Sequence, residues 1–170
     1  MQSDSKNSDA AIKLKEKIDK VKIAMLTTEE KDGHLRSRPM HTTKAESTGI
    51  LWFFTSDQSD KADVIEHKNR SVNLAYADAD ADTYISVSGK AEIVEDKGKM
   101  KDLWNPALKG WFAQGLDTPD ISLLKVTVDK AEYWDVKSNK MVQLAAFAKA
   151  AITGKSARED IGNSEKLNVR

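Results

Sequence analysis

From Ile23 to Asp135 the chain alternates short runs of β-branched and aromatic residues with polar turns. That rhythm limits the fold more than any other feature. Strands are predicted at about Ile23–Thr28, Leu35–Lys44, Ile50–Thr55, Val72–Ala77, Thr83–Val94 and Leu123–Asp135. Lys31-Asp32-Gly33 and Glu46 to Gly49 supply hairpin turns between the first three. Six strands with such links predict an antiparallel sheet that closes as a barrel or sandwich.

Helices flank and interrupt the strands. Ala11, Leu14, Ile18 and Val21 recur at helical spacing behind the capping pair Ser8-Asp9, so an amphipathic helix lies there. Ser59 caps a second helix reaching His67, and Lys97 to Leu108 is helical up to the neighbourhood of Pro106. Met141 to Ile152 is apolar, with Asn139 before it and Gly154 after it, and reads as a last helix. Residues 1–154 form one domain with N- and C-terminal helices on this reading, and 155–170 form a mobile tail with few large apolar residues. No internal repeat or linker interrupts the chain.

Much chemistry is excluded. With no cysteine among 170 residues, disulfides, thiolate metal sites and cysteine nucleophiles are absent. The 27 basic and 27 acidic side chains balance, which argues against a nucleic-acid binder. Asp78, Asp80 and Asp82 resemble the start of a calcium loop, yet its sixth and twelfth positions hold Thr83 and Gly89 where glycine and glutamate are needed. His34, His41 and His67 share no helical face, so no metal site is expected. Neither a Gly-x-Ser-x-Gly elbow nor a glycine-rich phosphate loop occurs. The polar stretch Met1 to Ser5 and the shortness of every apolar run make a soluble cytoplasmic protein the expectation.

What remains are phosphate cues. Arg36 and Arg38 point to one face of their strand, where two guanidinium groups could bind a phosphate or simply lie in solvent. Pro39 lacks a backbone donor, so this strand lies at an edge or its ladder breaks there. The run Leu51 to Thr55 leads through a polar turn to a helix start carrying Ser59 and Lys61, although Asp60 competes for the same positive end. Among four tryptophans, Trp111 stands beside Phe112 in a loop-like segment, fit either to cover a flat ligand or to dock on the barrel.

In order and spacing these pieces resemble the split-barrel flavoproteins related to pyridoxamine 5′-phosphate oxidase, in particular their bacterial general stress protein branch. The resemblance runs through Ala24 to Thr28, Ser37 to Met40, Trp52 to Thr55, Tyr84 to Ala91, Leu103-Trp104, Trp111-Phe112 and Glu132 to Asp135. It implies an α+β fold, a six-stranded antiparallel split β-barrel of Greek-key type with flanking helices. It also implies a homodimer with two FMN sites at the subunit interface. Arg38 then corresponds to the arginine at the flavin phosphate, and Pro39 and Met40 to the strand running along the ring. Phe54 and Thr55 match an aromatic–threonine pair, Ser59 and Lys61 the phosphate-binding serine and lysine, and Trp111 a cover over the site. Tyr84 falls where the oxidases carry a glutamine. FAD or a deazaflavin would use the same contacts as FMN. Asp60 replaces an arginine of the true oxidases, and Met141 to Ala151 contains no histidine, so pyridoxamine phosphate oxidation is not expected. The implied function is a flavin-dependent oxidoreductase of a stress response. The alternatives are a flavin or phosphorylated-heterocycle carrier or sensor without turnover, or a dimeric interaction module that has lost its ligand.

Overall fold

A computed structural model of the chain describes residues 2–67, 70–135, 149 and 163–169. Helix α1 (Gln2–Val21) is followed by β1 (Ile23–Glu29), β2 (Leu35–His41), the two-residue β3 (Lys44–Ala45) and β4 (Ile50–Ser56). Then come α2 (Asp60–His67), β5 (Ser71–Asp78), β6 (Thr83–Val94) and α3 (Lys97–Leu103). Two 3₁₀ turns, Pro106–Gly110 and Gly115–Asp117, lead into β7 (Ile121–Asp135), and β8 (Asn163–Asn168) closes the order. Apart from Lys149, which is helical, the expected helix from Met141 to Ile152 lies outside the described residues.

The strands form one antiparallel sheet in the order β2-β1-β5-β6-β7-β4-β3, with β8 attached to β7. Strands β2 and β4 approach each other without a shared ladder, which leaves the curled sheet split along that seam. This is the expected α+β split-barrel architecture, with eight strands in place of six.

Two of the differences have clear causes. The predicted Leu35–Lys44 strand is divided because the chain changes partners: the Thr42 amide donates to Lys22 O at 2.7 Å, whereas the Thr43 amide donates to Trp52 O at 2.8 Å. Residues 42 and 43 thus carry the backbone from the β1 ladder to the β4 ladder. The other concerns the tail, where residues 163–168 of the segment 155–170 form β8 and are not loose. Strand β7 spans 15 residues, but β4 pairs only with Ile121 to Thr127, so an open edge runs from Lys130 to Asp135. Strand β8 occupies that edge and sets Leu167 and the following Val169 in the core.

Two apolar clusters hold the fold. The larger fills the barrel, joining Leu14 and Ile18 of α1 to Leu26, Phe53, Leu74, Val87 and their neighbours. The smaller lies on the opposite face of β4, where Trp52 and Phe54 meet Met100, Leu103 and Leu108. Burial on both faces explains why the β4 sequence, Ile50 to Phe54, is apolar without alternation. Pro106 disfavours helical geometry at Asn105, so α3 stops early and the chain turns across this second cluster. Asn105 caps the turn through a 3.0 Å bond from the Ala107 amide to its Oδ1.

Candidate functional site

The seam between β2 and β4 is a cleft of about 400 Å³. Its lining includes Pro39 and Met40 from β2, Phe54 and Thr55 from β4, Lys61 from α2, and Trp111 from the end of the first 3₁₀ turn. These are six of the eight residues singled out in the sequence. The volume lies within the roughly 300–1,000 Å³ typical of small-molecule sites, and apolar walls with few polar groups are their usual lining.

Each wall follows from its local sequence. Strand β2 pairs only with β1, which fits Pro39 at an unladdered edge. Phe54 is buried and fixed by Trp104, whose ring meets it edge-on at 5.5 Å between centroids, and by Phe112 at 6.2 Å. Thr55 is also buried. By contrast, Trp111 is 70% exposed, a large ring standing at the mouth with little of its own chain against it.

The polar floor is Lys61. Burial, and after it the nearby Arg38 guanidinium, lower its ammonium below the usual lysine range. No carboxylate among the described residues forms an ion pair with it. A half-buried cation without a paired anion, facing an apolar cleft, suits an anionic group such as a phosphate.

Arg38 and Ser59 do not line the cleft. The Arg38 guanidinium donates to Thr28 Oγ1 and to Glu30 Oε1, both at 2.8 Å, and its hydrogen bond holds the Glu30 carboxyl below the ordinary range. Ser59 caps α2: its hydroxyl donates to Ser56 O at 2.7 Å and accepts from the Ala62 amide at 3.4 Å. Arg36 pairs with Asp60 at 3.3 Å in the open. Arg36, Arg38 and Lys61 therefore form no purely basic pocket, because carboxylates answer both arginines.

Sequence reasoning missed His41, Leu108 and Ser56 as lining residues. The signal for His41 is its place directly after Met40 on an edge strand. Ser56 and the following turn are held by Asp120, which accepts from the Ser56 hydroxyl while its carbonyl accepts from the Asp57 amide. That tie fixes how β4 delivers the chain to α2.

Comparison with known proteins shows the family and the fold. The family described as pyridoxamine 5′-phosphate oxidase like matches residues 9–158. Protein bli-3 of Neurospora crassa is 32% identical over 168 residues, covering 89% of this chain and 80% of that protein. The structure of a general stress FMN/FAD binding protein from Xanthomonas citri is 28% identical, covering 77% of this chain and 92% of that one, with a TM-score of 0.66. General stress protein 26 from Bacillus anthracis is 30% identical over 71% of this chain and 92% of that one, with a TM-score of 0.60. Sharing its sequence pattern, its split sheet and 150 contiguous matched residues, the chain belongs to the pyridoxamine 5′-phosphate oxidase-like family.

Proposed function

We propose that the protein binds FMN in the β2–β4 cleft and serves as a flavin-dependent oxidoreductase in a stress response. The observation that carries this reading is the unpaired, half-buried Lys61 ammonium at the floor of an apolar cleft. Lys61 would take the flavin phosphate, and the α2 N-terminus above the Ser59 cap would add backbone donors. Pro39 and Met40 would lie along the ring, Phe54 and Thr55 would bound it, and Trp111 would cover it. The bound flavin would supply redox chemistry that none of these side chains performs. Arg38 would act one step back, through the field it shares with Lys61, because its guanidinium is held by Thr28 and Glu30 and does not line the cleft.

The reading includes a homodimer. Exposed Ile23, Met25, Tyr84 and Trp134 stand on one outer face of the sheet, Tyr84 directly opposite Trp134 in the β6–β7 register. A contiguous apolar face of this kind fits a second copy of the chain, whose approach would also enclose the cleft.

The test is the absorption spectrum of freshly purified protein, followed by mass identification of whatever denaturation releases. FMN is expected; FAD or a deazaflavin would correct the cofactor, and a colourless protein that takes up none of them would refute the reading. Anaerobic mixing with NADH or NADPH then separates enzyme from carrier, since a carrier leaves its flavin oxidised.

A further inference from the structure

Lys61 differs from every other described lysine. Five lysine side chains besides it are partly buried, and each has an acid partner: Lys13 with Glu165, Lys15 with Asp19, Lys17 with Asp135, Lys99 with Glu46 and Lys125 with Glu92. Others, such as Lys20, Lys22, Lys97 and Lys109, stand open to solvent. Among the described lysine side chains, only Lys61 is both partly buried and without an acid partner, and it lines the 400 Å³ cleft beside Met40, Phe54 and Phe112.

Its surroundings favour the neutral amine. Burial lowers the Lys61 ammonium first, and the Arg38 guanidinium lowers it further. Asp60 pulls the other way with less effect, and its carboxylate is engaged by Arg36 at 3.3 Å. Acid partners act in the opposite sense elsewhere: Glu165 and Asp63 hold Lys13 and Lys31 above the ordinary lysine range. A lysine near its usual value of about 10.4 leaves fewer than about one amine in a thousand unprotonated at pH 7, and each unit of lowering raises that fraction about tenfold. A desolvated lysine beside a second cation is the arrangement that turns an amine into a nucleophile toward carbonyl groups.

We propose that Lys61 is a carbonyl-capture site, forming an imine with a flat apolar aldehyde seated in the β2–β4 cleft. The Nζ lone pair bonds to the carbonyl carbon, the oxygen takes a proton, and loss of water leaves a C=N bond. The net change is amine plus aldehyde to imine plus water, with no oxidant or reductant consumed. Met40, Phe54 and Phe112 supply the apolar wall for the ring and keep water from the product, which holds the imine against hydrolysis. The capture site stands on the cleft and its amine. Its consequence, that a captured aldehyde and a flavin phosphate exclude each other, rests on the flavin reading.

The test is reductive labelling. Flavin-free protein is mixed with benzaldehyde and cyanoborohydride, which delivers hydride to the imine and leaves a stable benzylamine, and peptide mapping by mass spectrometry reads each lysine. Lys61 should label at least about tenfold faster than the open lysines, which report ordinary reactivity in the same sample. The α-amino group, ordinarily at about 7.7–8.0, labels as well and is read as a separate peptide. Urea should erase the preference, Lys61→Arg should remove that one adduct, and glycolaldehyde, which has no apolar ring, should favour Lys61 less. Excess FMN should protect Lys61 alone. The proposal is overturned if Lys61 labels no faster than the open lysines, if its preference survives in urea, or if glycolaldehyde shows the same preference. Fast labelling of Lys61 that FMN leaves unchanged sustains the capture site and contradicts a flavin phosphate on Lys61. Slow labelling in a protein whose FMN binding needs Lys61 does the reverse.

Discussion

At the scale of single residues, Lys61 carries the proposed anion site. Its ammonium is held half-buried without a paired anion, a cost the fold tolerates and a bound phosphate would remove. Hydrogen bonds to charged groups contribute about 1.5–3 kcal/mol, so Lys61→Ala should weaken FMN binding roughly ten- to hundredfold in a fluorescence titration. Arg38→Ala should act differently, unseating the Glu30 carboxylate as well, and its effect should appear in thermal stability along with affinity. His41 gives a pH signature. Its folded value is depressed, so lowering the pH below about 6.5 protonates the unfolded chain first and destabilises the fold until the depressed value is reached. Thermal midpoints should fall between pH 7 and pH 5, and His41→Asn should flatten that part of the curve. Glu30 and Glu165 act in a separate window, because carboxyls held low lose their contribution only as pH falls through their depressed values.

At the scale of elements, β8 is the least expected part. It is clamped at its outer end by Glu165, which accepts from Lys13 of α1 and from the Tyr133 hydroxyl, and Lys17 stacks over the Tyr133 ring at 3.9 Å. At its inner end Val169 lies so close to Gly49 that an added Cβ there would come within 2.4 Å of Val169 Cγ1. Gly49 also has φ +78°, so Gly49→Ala combines backbone strain with a clash and should destabilise the protein. Leu167 is 6% exposed, and Leu167→Ala should cost about 2–4 kcal/mol in denaturant unfolding. The sequence showed the six main strands because their β-branched runs and turn glycines are local signals. Strand β8 escaped because Asn163-Ser164-Glu165-Lys166 is polar and its pairing is decided by the edge that β7 leaves free. The site was legible to the same degree: Pro39, Met40, Phe54, Thr55, Lys61 and Trp111 do meet, being the ends of neighbouring elements. Arg38 was legible as a cation but not as the partner of Glu30, since that contact depends on the β1–β2 register.

At the scale of the molecule, a split barrel presents two unfinished surfaces: the β2–β4 seam and the outer apolar face. One second copy of the chain would address both, which links oligomeric state to ligand binding. Trp134→Glu places a charge on that face opposite Tyr84, and light scattering should then report a monomer in place of the proposed dimer. FMN affinity should fall in the same variant, although Trp134 does not line the cleft.

The most direct measurement is titration of FMN into the purified, flavin-stripped protein, read by quenching of flavin fluorescence, for the wild type and Lys61→Ala side by side. Saturable quenching by the wild type, reaching one flavin per chain and weakened at least tenfold in the variant, is the predicted result. Absence of saturable quenching by the folded wild type, or equal affinity of the two proteins, would contradict a flavin held by Lys61 in the β2–β4 cleft.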